Sequence, residues 1–209
     1  MTAPSRALII IDVQQEYFEG QLPIQYPARE GSVARISEAI NAAANADTPI
    51  VLVQHELPTH APVFGSGSAT FQNHPELAQC ESKAAKRINK QFGSIFAGTD
   101  LDAWLCDNGI DTITLVGYMT NNCILSSAAD AEPRGFNVEV LSDATGAIDI
   151  ANEAGHASAQ QVHKTLMVLL HSNWAAVVDT NIWIAALQAS EPLARSNLIV
   201  SAAQGRDVT

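Results

Sequence analysis

Near its start the chain runs Ala7-Leu8-Ile9-Ile10-Ile11 and stops on a carboxylate, Asp12. An unbroken apolar run without polar alternation describes a strand buried on both faces, as in the middle of a parallel sheet covered by helices. Parallel neighbours need crossover connections, so such a strand demands a βαβ rhythm along the rest of the chain. Strand-like runs fall at 7–13, 49–54, 111–116, 136–141 and 175–178, with a short one at 86–90. They alternate with helical patterns predicted at 32–46, 99–108 with Thr99 as cap and Gly109 as stop, 121–132, 151–172, and 180–189 with Thr180 as cap. The expectation is an α/β fold: a three-layer αβα sandwich with a mainly parallel central sheet, formed as one domain over residues 1–209.

Composition narrows the function classes. Hydrophobic residues make up 47% of the chain and charged residues 16%, too apolar for a disordered chain, while the longest apolar stretches are strand-sized and too short to span a membrane. Twenty-two acidic residues against eleven basic ones give a net charge of −11, which repels phosphate backbones and anionic lipid. Neither nucleic acid nor membrane is therefore an expected partner; a small-molecule substrate is. Met1 to Arg6 carry no charged segment followed by a separate apolar stretch, so a cytoplasmic protein is expected. The three cysteines, Cys80, Cys106 and Cys123, are an odd number without a close pair, which supports neither a disulfide framework nor a Cys-x-x-Cys site.

One of those cysteines stands where a thiol can react. In Leu115-Val116-Gly117-Tyr118-Met119-Thr120-Asn121-Asn122-Cys123 an apolar strand ends, Gly117 permits a sharp turn, and Thr120 or Asn121 can cap the helix that carries Cys123. Free N–H groups at a helix start favour thiolate, so a pKa below the ordinary value of about 8.5 is expected. The plainer alternative is a small buried hydrophobe. Asp12, at the carboxyl end of its strand, lies where open α/β sheets bind ligands. Lys90, alone, would read as a solvated surface lysine.

Together these segments resemble the isochorismatase-like cysteine hydrolases, the superfamily of nicotinamidases, N-carbamoylsarcosine amidohydrolase, ureidoacrylate amidohydrolase and isochorismatases. The family's Asp-x-Gln and following aromatic appear as Asp12-Val13-Gln14 and Tyr17. Its Lys-x-x-x-Ser-x-Phe-x-Gly-Thr-x-Leu runs intact from Lys90 to Leu101, and its Gly-x-x-Thr-x-x-Cys from Gly117 to Cys123. Ala128, Ala129, Asp130, Ala131, Gly135 and Asp143-Ala144 follow in the family's order. The resemblance implies a cis peptide at Tyr118–Met119 and a homo-oligomer, for which Ile182, Trp183, Ile184 and Leu187 offer an apolar face.

The chemistry needs a nucleophile, a proton shuttle and a cation, and Cys123, Asp12 and Lys90 supply one each. The backbone N–H groups of Met119 and Cys123 are the candidate oxyanion hole. Gln14, Tyr17, Phe18, His55, Phe96 and Tyr118 are candidates for the substrate pocket. The irregular stretch from His55 to Gln79 reads as a functional loop, and that from Gly20 to Gly31 as a pocket wall or subunit contact. No cofactor is expected. The nicotinamidase branch places an Asp-x-His metal pair after its second strand, but here His55 and Leu57 stand at those positions, leaving His55, Glu56, His60 and His74 as loop groups that could form a different site. His156, His163 and His171 read as an ordinary helix face. The expected activity is hydrolysis of a small amide, ureido or carbamoyl substrate through a thioester on Cys123. The alternatives are an isochorismatase-type vinyl-ether hydrolase, which has no need of the thiol, and a non-catalytic redox or binding protein.

Overall fold

The structure, a computed structural model, describes residues 3–208. Its strands are β1 (Arg6–Ile11), β2 (Ile50–His55), β3 (Lys86–Lys90), β4 (Thr112–Tyr118), β5 (Asn137–Gly146), β6 (Ile150–Asn152), β7 (Gly155–Ala157) and β8 (Ala176–Val178). The helices are α1 (Arg29–Asn45), α2 (Ala78–Glu81), α3 (Leu101–Asp107), α4 (Leu125–Ala131), α5 (Ala159–Asn173), α6 (Thr180–Ala189) and α7 (Leu198–Asp207). Six strands form one parallel sheet in the order β3-β2-β1-β4-β5-β8, with β1 and β4 at its centre.

Every residue of β1 is buried, and its side chains alternate between two apolar layers. Ala7, Ile9 and Ile11 pack with Leu101 and Leu105 of α3, Ala128 of α4 and Leu170 of α5. Leu8 and Ile10 pack with Val33, Ile36 and Ile40 of α1 and with Trp183 and Leu187 of α6. This is the three-layer sandwich, and the period-2 geometry of a strand buried on both faces accounts for it.

The helix expected over 151–172 begins later. Residues 150–157 form the antiparallel β6–β7 hairpin, whose turn ends at Gly155 with φ +139°. Ser158 then opens α5 with a reciprocal cap: its side chain accepts from the Gln161 amide while the Gln161 side chain accepts from the Ser158 amide. Thr180 is not the cap of α6; Asp179 takes that position, and the Thr180 hydroxyl donates to Asp143. Helix α3 starts at Leu101, two residues after Thr99, and Gly109 ends its turn at φ +64°. Helix α7, absent from the sequence-based expectation, is capped by Asn197 and buries none of its residues. The apolar face proposed on 180–190 is mostly spent inside the chain: Trp183 and Leu187 are buried and Ile182 is exposed. Among the described residues no helix is long and apolar enough to cross a membrane.

Candidate active site

Four neighbouring strands deliver their carboxyl ends to one place. Ile11 of β1 pairs with Val53 of β2 and Gly117 of β4, and His55 pairs with Lys90 of β3, so the residues that follow these ends converge. Gly117 has φ +102°, and a Cβ there would lie 2.1 Å from the Ile11 carbonyl oxygen, so no larger residue lets β1 and β4 close this tightly. Asp12 takes a left-handed conformation, φ +52°, with its amide donating to the Val53 carbonyl. Aspartate tolerates that region better than most residues because its short polar side chain can hydrogen-bond locally.

Lys90 Nζ is the hub. It lies 2.7 Å from Asp12 Oδ2, 3.1 Å from His55 Nδ1, 3.1 Å from the Phe92 carbonyl and 3.3 Å from Cys123 Sγ. Asp12, Lys90 and Cys123 are all buried, so three chain-distant polar groups share one dry volume. Asp12 Oδ1 is buried with no hydrogen-bond partner among the described residues. A buried carboxylate oxygen left short of donors is costly, which marks this pair as built for something other than stability.

Electrostatics overturns the expectation for the thiol. Burial pushes the Cys123 pKa well above the ordinary thiol range, Asp12 pushes it the same way, and Lys90 opposes them without prevailing. The ammonium is already committed to Asp12, so a thiolate would be a second anion on one cation. Lys90 itself is lowered by burial, yet Asp12 and then Cys123 outweigh this and raise its pKa, keeping it charged. His55 is shifted down by burial and by Lys90, which leaves a neutral ring able to accept from the ammonium. Burial and Asp12 thus favour the thiol over the thiolate, and Asp12 with Cys123 favours the charged form of Lys90.

Cys123 sits in a π-helical turn, Thr120–Ile124, ahead of α4. Such wide turns recur at functional sites because they redirect side chains and amides. The Met119 carbonyl accepts from the amides of Asn122 and Ile124, which flank Cys123. The Tyr118–Met119 peptide is cis. The Lys90 loop is tied to α4: Ser94 Oγ donates to Asp130 at 2.6 Å, and the Ile95 amide donates to Ser127 Oγ at 3.1 Å. A Cβ on Gly93 would meet Asn122 Oδ1 and Ser126 Oγ at 2.9 Å, so the lysine loop and the turn that carries Cys123 touch without room for a side chain.

The expected pocket residues divide. Tyr17 lies between Phe64 and Tyr118, ring centroids 5.3 and 5.5 Å away, and its phenol is held well above the usual range by burial first, then by Cys123 and Asp12. Phe18 packs on His74 and Tyr118, and His55 on Phe64. The Tyr118 hydroxyl is turned to Ser32 of α1, 2.8 Å away. Gln14 braces the backbone: its amide donates to the carbonyls of His55 and Phe71 and accepts from the His55 amide. Phe96 stacks on Phe136 with Arg134 over its ring. Phe64 and the buried His163 are additions that sequence spacing did not single out.

A carboxylate oxygen of Asp12, a ring nitrogen of His55 and Cys123 Sγ lie within 4.8 Å of one another, the single such group among the described residues. Lys90 Nζ bonds all three, so an ion there would meet an ammonium on its own ligands. Leu57, at the family's second metal position, packs into an apolar cluster and donates its amide to Phe64. His74 Nδ1 accepts from the Glu76 amide, and His60 is exposed. These residues do not fit the nicotinamidase ion.

Comparison with known proteins agrees with this architecture. A solved structure from Burkholderia xenovorans LB400 is 45% identical and superposes with a TM-score of 0.95 over 100% of both chains. A secreted isochorismatase effector of Verticillium dahliae is 38% identical across 68% of this chain and 73% of its own. A maleamate amidohydrolase of Pseudomonas putida is 30% identical across 67% of this chain and 71% of its own. The isochorismatase domain model matches residues 6–180, the whole six-stranded sheet with the turn that carries Cys123, and the chain belongs to the isochorismatase family of hydrolases.

Proposed function

We propose that this protein hydrolyses the C–N bond of a small amide, ureido or carbamoyl substrate, with Cys123 as nucleophile, Asp12 as proton shuttle and Lys90 as the cation that keeps Asp12 ionised. The observation that carries the reading is the Asp12 carboxylate: one oxygen bonded to Lys90 and the other buried and unpartnered, beside a protonated thiol that Lys90 also bonds. The similarity to a maleamate amidohydrolase supports an amide as the bond attacked.

Asp12 takes the Cys123 proton as sulfur bonds to the substrate carbonyl carbon, so no free thiolate need accumulate. The C=O electron pair moves onto oxygen, where the Met119 and Cys123 amides donate to it. As that pair returns, the C–N bond breaks and Asp12 gives its proton to the departing nitrogen. Water then attacks the thioester with Asp12 accepting its proton, and C–S cleavage returns that proton to sulfur. Lys90 stays charged throughout and balances whichever of Asp12, sulfur or oxyanion is negative. Tyr17, Phe18, His55, Phe64 and Tyr118 pack ring against ring beside this site, and in this reading they bound the substrate. Three unpaired cysteines suit a reducing compartment, the cytoplasm in this reading.

Ammonia release from a panel of small amides, ureas and carbamoyl compounds, run beside a vinyl-ether substrate, tests the proposal. Release from at least one C–N substrate is expected. Turnover of the vinyl ether alone would overturn it in favour of isochorismatase-type chemistry.

A further inference from the structure

Helix α5 carries one histidine that is unlike its neighbours in sequence. His163 is 4% exposed, whereas His156 is exposed and His171 is half-buried and accepts from the Val177 amide. Its Nδ1 lies 3.0 Å from Thr120 Oγ1, and that hydroxyl lies 3.1 Å from Thr145 Oγ1. Thr120 and Thr145 are fully buried. Thr120 is the first residue of the π-helical turn that holds Cys123, and it follows directly on Met119. Thr145 lies near the end of β5, paired beside Gly117 across a register shift in the β4–β5 ladder. One hydroxyl thus joins three elements at the place where the nucleophile turn leaves the sheet.

We infer that His163 is a positioning residue for the nucleophile turn: through Thr120 it fixes the orientation of the Met119 and Cys123 amides relative to Cys123 Sγ. The inference rests on the reading of Cys123 as nucleophile.

Burying an imidazole costs solvation that an apolar side chain of similar volume would not. The cost is met here by two partners, the Ser142 backbone of β5 and the Thr120 hydroxyl, and the second belongs to the turn rather than to the helix packing. The Tyr26 ring stands edge-on to the imidazole at 5.5 Å and packs against it. Thr120 Oγ1 has one hydrogen to give and can accept another, and the pairing with both His163 and Thr145 leaves it a single staggered position. Without the imidazole the hydroxyl keeps only Thr145, and the turn gains freedom about the bonds that aim the Met119 and Cys123 amides. Small misplacements of this kind at a reacting centre are worth on the order of 10-fold to 100-fold in rate.

The test is iodoacetamide labelling followed by peptide mass spectrometry, reading Cys123 against the exposed Cys106 as an internal reference, with thermal unfolding in parallel. His163→Phe is expected to slow Cys123 labelling on the order of 10-fold relative to Cys106. His163→Asn, which keeps a hydrogen-bonding atom near the Nδ1 position, is expected to restore most of the rate. Thr120→Val should reproduce the loss, and adding His163→Phe to it should slow labelling no further, because both remove one interaction. A structural role alone would lower the unfolding temperature and leave the ratio and its non-additivity unmoved. Unchanged Cys123 labelling in both His163 variants, or multiplicative losses in the double variant, would overturn the positioning role while leaving the nucleophile reading intact. The absence of any acyl adduct on Cys123 during turnover of an amide would overturn the nucleophile reading, and this inference with it.

Discussion

Two buried ion pairs sit at opposite ends of the same sheet, and they are finished differently. At the amino end of β1, Arg6 meets Glu139 of β5 at 2.9 Å, with side chains 2% and 4% exposed. Glu139 also accepts from the Thr114 hydroxyl and the Trp183 indole, and Arg6 bonds the Glu191 carbonyl. At the carboxyl end, Lys90 and Asp12 are fully buried, yet among the described residues one Asp12 oxygen has no hydrogen-bond partner and the lysine spreads itself over a thiol, an imidazole and a carbonyl. A buried pair satisfied on both oxygens holds four elements together, β1, β4, β5 and α6. A pair left one donor short has a place for a proton, and a thiol stands beside it.

The largest effects should separate the two ends by activity. Cys123→Ser is expected to cost at least ~10³-fold in turnover, about 4 kcal/mol of barrier, with circular dichroism unchanged, because a serine hydroxyl is far harder to deprotonate toward one carboxylate. Asp12→Asn should lose a similar factor in turnover without slowing alkylation of Cys123, because Asp12 is one of the groups that hold the thiol protonated. A fully active serine variant would remove Cys123 from the chemistry, and a fully active Asp12→Asn variant would remove Asp12 as its base.

By stability the ranking reverses. Glu139→Leu strands Arg6, which cannot shed its charge, and is expected to cost about 3–5 kcal/mol in urea unfolding with Cys123 labelling unaltered. Lys90→Met should lose turnover and cost less stability than Glu139→Leu, since an abandoned Asp12 can take up a proton. Equal stability losses would mean that the two pairs serve the same purpose.

A smaller effect distinguishes the helix layer from both pairs. Burial lowers the His163 pKa from its usual value of 6.5 to about 4, opposed only by the Ser142 backbone. The unfolded chain therefore takes up this proton first as pH falls, so stability present above pH 6.5 is lost toward pH 4, by roughly 3 kcal/mol at most. Urea midpoints at pH 7 and pH 5 should differ more in the wild type than in His163→Phe; equal differences would place the acid sensitivity elsewhere. The smallest expected effect is none: dialysis against a strong chelator should leave turnover unaltered, because Lys90 holds the donors a metal would need. Activity lost on chelation and restored by Zn²⁺ would contradict that.

What was legible in the sequence follows the same division. The strands buried on both faces read directly from their unbroken apolar runs, and Asp12, Lys90 and Cys123 read from spacing and from the resemblance it carries. The start of α5 was written in Ser158 and Gln161, but the small polar residues of 150–157 fit a helix and an exposed hairpin equally well until Gly155 is seen at positive φ. Helix α7 has no buried residue, so no apolar stripe could announce it. His163 has the same helical spacing as two outer histidines, and only the packing of α5 against the turn that carries Cys123 sets it apart. The thiol's helix-start position was visible, but its burial and the commitment of Lys90 to Asp12 are tertiary facts, and together they outweigh the dipole.

The central claim is that the unpartnered Asp12 oxygen accepts the Cys123 proton so that sulfur can be acylated. Mixing the protein with an amide it turns over, quenching in acid within the turnover time and weighing the Cys123 peptide tests this directly. A mass increase equal to the substrate's acyl group, present in the wild type and missing in Asp12→Asn, is the predicted result. Sustained turnover with no adduct on Cys123 at any quench time, together with an active Cys123→Ser protein, would contradict it.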